Sequence, residues 1–376
     1  MDATNAEKDH TEKEHTEKEH TEKGLQFRFI SDPLAYFTLM LSDIKKATRY
    51  IHLEIYRFRN DPVGVRFRDY LVNKCREGVE VRLLIDSWGA SSSHSFFQEV
   101  IDAGGEVTFF KKIRLNWDAF TKSHRRDHRK ILVIDDEITY MGSGNISNYS
   151  LNWRESMFRI KGPIAKTFRQ VIDENFKIYN KYFYDKPGYT KPLLYNGFEI
   201  IRDVPSMTYQ PVKKKFLQLI NEAKREIIIE TPYFLPGSDL RKALVAAARR
   251  GVKVFVHIPR KSDVWIMDVL TSKYMGELAE TGISLFFYLP QNLHAKLFIV
   301  DRTSFVVGSS NFDYRSFRYQ HEICLAGEHK SLVRQLVNHT NETRKESVPF
   351  NYETWSHRPA IQRFFEWVLI PFRHLF

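Results

Sequence analysis

Two stretches of the chain carry the same reactive groups in the same order: "DHRKILVIDDEITYMGSGN" at 127–145 and "LHAKLFIVDRTSFVVGSSN" at 293–311. The first supplies His128, Lys130, Asp135, Gly142, Ser143 and Asn145, followed by Glu155; the second supplies His294, Lys296, Asp301, Gly308, Ser309 and Asn311, followed by Glu322. From each histidine the lysine lies two residues on, the aspartate seven and the asparagine seventeen, while the glutamates lie 27 and 28 on. Each set offers an imidazole as nucleophile or acid, and an ammonium, a hydroxyl and an amide as donors to phosphoryl oxygens. One histidine alone is a poor catalyst of phosphodiester exchange. Two that face each other can divide the work, one attacking phosphorus while the other protonates the leaving oxygen. Glu155 and Glu322 are suited to accept the remaining ring N–H and fix the tautomer. With lysines and asparagines neutralising the developing charge, no metal or other cofactor is called for, and the Asp135–Asp136 pair reads as turn acids.

Positioning these groups requires particular elements. Residues i and i+2 of a strand face one side, so His128 and Lys130 project together. The run "ILVID" continues that strand, "DE" turns, and "ITYMG" returns, so the Gly-Ser turn brings Asn145 back beside the histidine. Elsewhere helical and strand-like pieces alternate with short connections, the pattern of an α/β protein. The second half parallels the first: "AYFTLMLSDIKKATRYIHLEIYRF" matches "PVKKKFLQLINEAKREIIIETPYF", with Glu54 and Glu230, and Gly78 and Gly251, in equivalent places. The chain therefore reads as an internal duplication of a unit of roughly 170 residues, joined near 179–197. A pseudo-twofold axis between the halves would set His128 against His294, with the active site at their interface.

The bulk properties bound the partners. Formal net charge is +11, yet residues 1–23 hold eight acids against four lysines, so the remainder carries +15. That balance suits anionic partners, whether phospholipid headgroups or nucleic acid. Residues 10–24, "HTEKEHTEKEHTEKG", have nothing to bury and read as a disordered charged repeat. No run of 18 apolar residues and no signal-peptide core occurs, so a cytoplasmic, peripheral protein is expected. Cys75 and Cys324 are too few for a disulfide framework or a zinc site.

The two motif blocks resemble the signature of the phospholipase D superfamily, H-x-K-x4-D followed by G-S-x-N, here present twice. The subgroup most similar is the bacterial cardiolipin synthases, on "RRDHRKILVIDDEITYMGSGNISNYSLNWRE" and "HAKLFIVDRTSFVVGSSNFDYRSFRYQHE", with "HLEIYRF", "REGVEVRLLID" and "ETPYFLP" in support. The resemblance implies two fused α/β/α sandwich halves, at 25–185 and 186–345, after a charged repeat at 1–24. It implies a phosphatidyltransferase that forms a phosphatidyl-histidine intermediate resolved by a second lipid's alcohol, making cardiolipin from two phosphatidylglycerols. By it His128 is the nucleophile and His294 the general acid then base, although the order could be reversed. Lys130, Lys296, Asn145 and Asn311 would hold phosphate oxygens with Ser143 and Ser309 assisting, and Asp135 and Asp301 would complete the motif mainly as anchors. A phospholipase D-type hydrolase acting on phospholipid or nucleic acid is the alternative, with nucleic acid the less favoured partner. Substrates are then phospholipids, met at the cytoplasmic face of an anionic membrane.

Two further segments bear on the membrane. The C-terminal segment 346–376 ends in "RPAIQRFFEWVLIPFRHLF", where aromatic and basic residues interleave as in an interfacial amphipathic helix. The basic loop at 109–130 places Lys111, Lys112, Arg114, Lys122, Arg125 and Arg126 where they would gather anionic headgroups beside His128.

Overall fold

A computed structural model describes residues 24–90, 94–110, 125–179 and 189–375. Strand order gives the duplication physical form. The first sheet runs Gln26–Ile30, Met157–Lys161, Ile138–Gly142, Lys130–Ile134, Tyr50–Ile55, Glu80–Asp86, Glu106–Phe110. The second repeats that order as Phe198–Asp203, Gln320–Glu328, Ser304–Gly308, Leu297–Val300, Glu226–Glu230, Lys253–Pro259, Ser284–Tyr288, with Leu193–Tyr195 and Ser347–Pro349 added at its two edges. In each sheet the last three strands of the seven are parallel. Parallel neighbours need a crossover, which Pro62–Arg76 and Ser238–Arg249 supply between the first two such strands.

Local signals explain the helices. Asp32 accepts the Ala35 N–H at 2.7 Å ahead of Pro33–Lys46, and Asp61 accepts the Gly64 N–H at 3.0 Å ahead of Pro62–Arg76. Each is followed by a proline in the first turn, where its missing N–H costs nothing. Basic residues close both helices, against the negative end of the dipole.

Three large apolar clusters form most of the interior. One lies under the helices of the first half and one under those of the second. The third belongs to both: Ile131, Val133, Phe158 and Phe168 pack in one cluster with Leu297, Ile299, Ile323 and Leu336. Helices Ala165–Ile178 and Lys330–Lys345 contribute to this shared core. Each large apolar side chain hidden there contributes roughly 1.5–3 kcal/mol, so the halves are held as one body by packing rather than by a linker. Of the expected joint, residues 180–188 lie outside the described residues; its later part is a hairpin of the second sheet, turned by Asn196 and Gly197 at positive φ. The charged repeat at 1–23 also lies outside. The second sheet extends to Pro349, beyond the expected boundary at 345.

Candidate active site

Backbone pairing brings the two motif blocks together across the halves. Arg126–Asp127 adds a short parallel strand to Gln320–His321, and the His128 N–H donates to the His321 carbonyl at 3.0 Å. Around the pseudo-twofold, Arg154 bridges Leu293, and the His294 N–H donates to the Arg154 carbonyl at 2.8 Å. The carbonyl in each case belongs to the residue just before a glutamate of the opposite half. That offset decides the side-chain partners. His128 Nδ1 lies 3.0 Å from Glu322, and His294 Nδ1 lies 2.8 Å from Glu155. An ionised carboxylate can only accept, so against it Nδ1 carries the hydrogen and Nε2 presents its lone pair. Each histidine is thus oriented by the other half, a crossing that spacing along the sequence does not disclose.

The serines lie beneath this arrangement. Ser143 Oγ takes the Ser156 N–H at 2.7 Å and donates to Glu155 at 2.5 Å; Ser309 Oγ takes the Ile323 N–H at 3.0 Å and donates to Glu322. Both are fully buried. Their hydroxyls are committed to the glutamates, which corrects the expectation that they assist at phosphate. The glycine before each serine is required by space as well as conformation. A Cβ at Gly142 would stand 2.0 Å from the Ser156 carbonyl oxygen, and one at Gly308 would stand 2.2 Å from that of Ile323, with φ at 151° and 155°.

Asp135 and Asp301 are removed from the reacting groups. They occupy the turns at the far ends of Lys130–Ile134 and Leu297–Val300, at φ 56° and 53°. The Asp135 carboxylate accepts the backbone N–H groups of Thr48, Arg49 and Tyr50, and that of Asp301 accepts those of Lys224, Arg225 and Glu226. Each pins the loop leading into the neighbouring strand. The structural reason is periodicity: seven residues of extended chain carry a side chain about 20 Å from its start.

Both histidines, Asn145 and Asn311 line one pocket of about 240 Å³, together with Tyr56, Arg57, Trp153, Tyr233, Asp263, Val264, Met267, Asp313, Arg315 and Gln320. The Tyr56 ring lies 5.0 Å from that of His128 and the Trp153 ring 4.9 Å from that of His294, so both imidazoles are steered by packing as well as by hydrogen bonds. Asn145 Oδ1 accepts the Arg57 N–H at 3.2 Å, which leaves its amide hydrogens for the pocket. Lys130 and Lys296 are buried beside the histidines. Lys296 Nζ lies 3.2 Å from His294 Nε2, whereas among the described residues no hydrogen bond reaches His128 Nε2.

Burial sets the balance of protonation. Desolvation lowers Lys130 to about 7 and Lys296 to about 8. It also holds His128 well below the usual imidazole range, reinforced by Lys130, Lys296, His294 and Arg315. His294 is lowered by burial, with Glu155 opposing. Burial pushes Glu155 upward, but His294, Lys296 and Ser143 outweigh it and hold the carboxyl below its ordinary value. Glu322 is lifted by burial to about 7 despite Lys130 and Ser309. In both pairs burial, with the neighbouring lysines, disfavours a cationic imidazole. A phosphodiester anion entering the pocket would reverse that balance.

The family described as "Cardiolipin synthase, PLD-like domain" matches residues 40–178 and 216–344. The chain belongs to this cardiolipin synthase family of phospholipase D-like proteins. Over 343 residues it is 32% identical to the cardiolipin synthase of a Geobacillus species, covering 88% of this chain and 68% of that one. Over the same length it is 32% identical to the major cardiolipin synthase ClsA of Bacillus subtilis, covering 88% and 71%. Among solved structures, the phosphatidylserine synthase of Haemophilus influenzae superposes with a TM-score of 0.74 over 93% of this chain and 95% of that one, at 14% identity, a likeness of fold.

Several lining groups of this phospholipase D-like site escaped the sequence reading. Tyr56 and Arg57 directly follow the strand Tyr50–Ile55, at the carboxyl end where sheets of this class hold ligands, a positional signal open to use. Tyr233 and Asp263 stand after the same ends of Glu226–Glu230 and Lys253–Pro259, whereas Arg315 carries no such mark. The expected basic loop is only partly described: Lys111, Lys112, Arg114 and Lys122 lie outside, and Arg126 is buried beside Asp86 at 3.6 Å, so it gathers no headgroups.

Proposed function

We propose that the protein is a phosphatidyltransferase that makes cardiolipin from two molecules of phosphatidylglycerol and releases glycerol, at the cytoplasmic face of an anionic membrane. Membership of the cardiolipin synthase family supports the substrates, and the free thiols Cys75 and Cys324 suit a reducing compartment. The observation that carries the reaction is the single pocket holding one histidine from each half, each bonded to the other half's glutamate.

In this reading His128 Nε2, to which no described residue donates a hydrogen bond, attacks phosphorus of the first phosphatidylglycerol. The P–O bond to the terminal glycerol breaks as His294, made imidazolium by the bound anion and ionised Glu155, gives its proton to the leaving oxygen. Glycerol departs and a phosphatidyl group remains on His128. The hydroxyl of a second phosphatidylglycerol then loses its proton to neutral His294 and attacks the same phosphorus; the P–N bond breaks, cardiolipin forms and His128 is restored. Lys130, Lys296, Asn145 and Asn311 hold the non-bridging oxygens as charge develops. Ser143 and Ser309 orient the glutamates, and Asp135 and Asp301 act on the fold. Water would give phosphatidic acid at the second step, so transfer depends on the acceptor lipid filling the pocket.

The test is mass spectrometry of lipids formed from phosphatidylglycerol vesicles by the wild type, His128→Ala and His294→Ala. Cardiolipin from the wild type alone is expected. Phosphatidic acid as the sole product would make the protein a hydrolase, and an unchanged lipid pool would direct attention to nucleic acid.

A further inference from the structure

The C-terminal helix Ala360–Leu369 is built inside out. Its buried side chain is Glu366, 1% exposed, whereas Phe364, Phe365 and Trp367 are 54%, 45% and 72% exposed. A helix lying on a protein body ordinarily turns its apolar face inward. Here the attachment is largely polar: Arg358 grips the Glu366 carboxylate through two bonds of 2.8 Å while stacking on Trp355, and Gln362 reaches Ser272 Oγ at 3.1 Å. Leu369 and Ile370 alone join the small apolar cluster around Met267 and Leu270. The outward aromatic face therefore contributes nothing to holding the helix in place. The helix packs on Trp265–Glu280, whose first turn bears exposed Trp265 beside the pocket-lining Val264 and Met267. Exposed Arg260, Lys261, Lys273 and Arg363 lie on the helix and on the segment it packs against, with exposed Asp263, Glu277 and Glu280 among them.

We infer that this face docks the protein on an anionic bilayer, with the aromatic side chains at the boundary between headgroups and acyl chains and the lysines and arginine on headgroup phosphates. A second copy fits less well, since a twofold contact through this helix would bring its exposed Arg363 toward the same residue of the other copy. Residues 1–23, with Met1, Ala3 and Ala6 as their only apolar side chains, have nothing to cover an aromatic face. Among the described residues no helix is long and apolar enough to cross a membrane. Surface docking at the pocket rim would hold the site against the layer that supplies its substrate, a step that rests on the proposed function.

Flotation of the full chain with phosphatidylglycerol–phosphatidylethanolamine vesicles tests the inference, comparing the wild type with the double variant Phe364→Ser/Trp367→Ser. The wild type should float, and losing two exposed aromatics should weaken partitioning about tenfold or more. Thermal melting and turnover of a dispersed short-chain phosphatidylglycerol should not change, while turnover on vesicles falls with binding. Unchanged partitioning, or a wild type that stays in the soluble fraction, would overturn the docking face. So would a shift from dimer to monomer by light scattering with vesicle affinity intact. Flotation that is lost in the variant, with no lipid product from either protein, would leave the docking face standing and refute the transferase.

Discussion

Replacing Glu155 by glutamine should impair His294, a residue of the other half, and leave His128 in its resting state. Glu155 Oε2 receives two hydrogens, from His294 Nδ1 at 2.8 Å and from Ser143 Oγ at 2.5 Å. The Ser156 N–H donates to Ser143 Oγ, and the hydroxyl hydrogen goes to Glu155. In Glu155→Gln the same hydroxyl keeps the amide oxygen toward His294, so the tautomer survives and the charge is lost. A charge-assisted hydrogen bond contributes about 1.5–3 kcal/mol, which at about 1.4 kcal/mol per decade is a loss of roughly 10- to 150-fold in kcat. Adding Ser143→Ala frees the amide to flip and present its NH2 group. That enforces the wrong tautomer, and the loss should then approach the roughly 10⁴-fold seen when a triad carboxylate is replaced by its amide. Glu155 raises His294, so its neutralisation should also move the pH optimum downward. The assay is cardiolipin formation in mixed micelles, alongside imidazole nitrogen NMR of the free protein. A loss below threefold, or a change at the His128 ring in place of the His294 ring, would refute the crossed pairing.

Other expectations follow from the same geometry. Lys130 and Lys296, lowered by burial to about 7 and about 8, are partly neutral at pH 8, so binding a soluble phosphodiester there should take up protons. Calorimetry in buffers of different ionisation enthalpy should detect this uptake, and Lys130→Met should reduce it; buffer-independent heats would contradict it. Gly308→Ala places a Cβ against the Ile323 carbonyl oxygen and should destabilise the fold by about 2–4 kcal/mol in urea titrations, whereas a loss below about 0.5 kcal/mol would mean that the strands can separate freely. Asp301→Ala removes the acceptor for three backbone N–H groups. It should cost about 1–3 kcal/mol of stability while kcat per folded molecule stays within a few fold; a collapse of kcat in fully folded protein would return Asp301 to the reaction.

Much of this was legible in the chain because duplication is a strong signal. Two blocks with equal spacings from histidine to asparagine announced paired α/β halves, and strand periodicity put His128 beside Lys130 and His294 beside Lys296. What escaped reading depended on contacts between halves. Glu155 lies nearer in sequence to His128 yet serves His294, because parallel pairing of Arg154 with Leu293 sets the register, and no local pattern encodes a bridge between residues 139 positions apart. Ser143 and Ser309 looked like phosphate donors by residue type, but the close strand crossing at Gly142 and Gly308 turns them inward. Arg126 read as one more surface cation, and only the fold shows it buried against Asp86. The C-terminal segment displayed its amphipathic pattern plainly, while the face turned outward was decided by Arg358 and Glu366.

The most direct test of a two-histidine exchange is a trapping experiment with His294→Ala and a phosphatidyl ester of p-nitrophenol. This leaving group needs no proton, so attack by His128 should proceed, while the missing base should stall release. Acid-labile phosphatidyl adduct on His128, found by mass spectrometry of the quenched protein and absent from His128→Ala/His294→Ala, is the predicted result. An adduct on another residue, or nitrophenol release that persists in the double variant, would contradict the account.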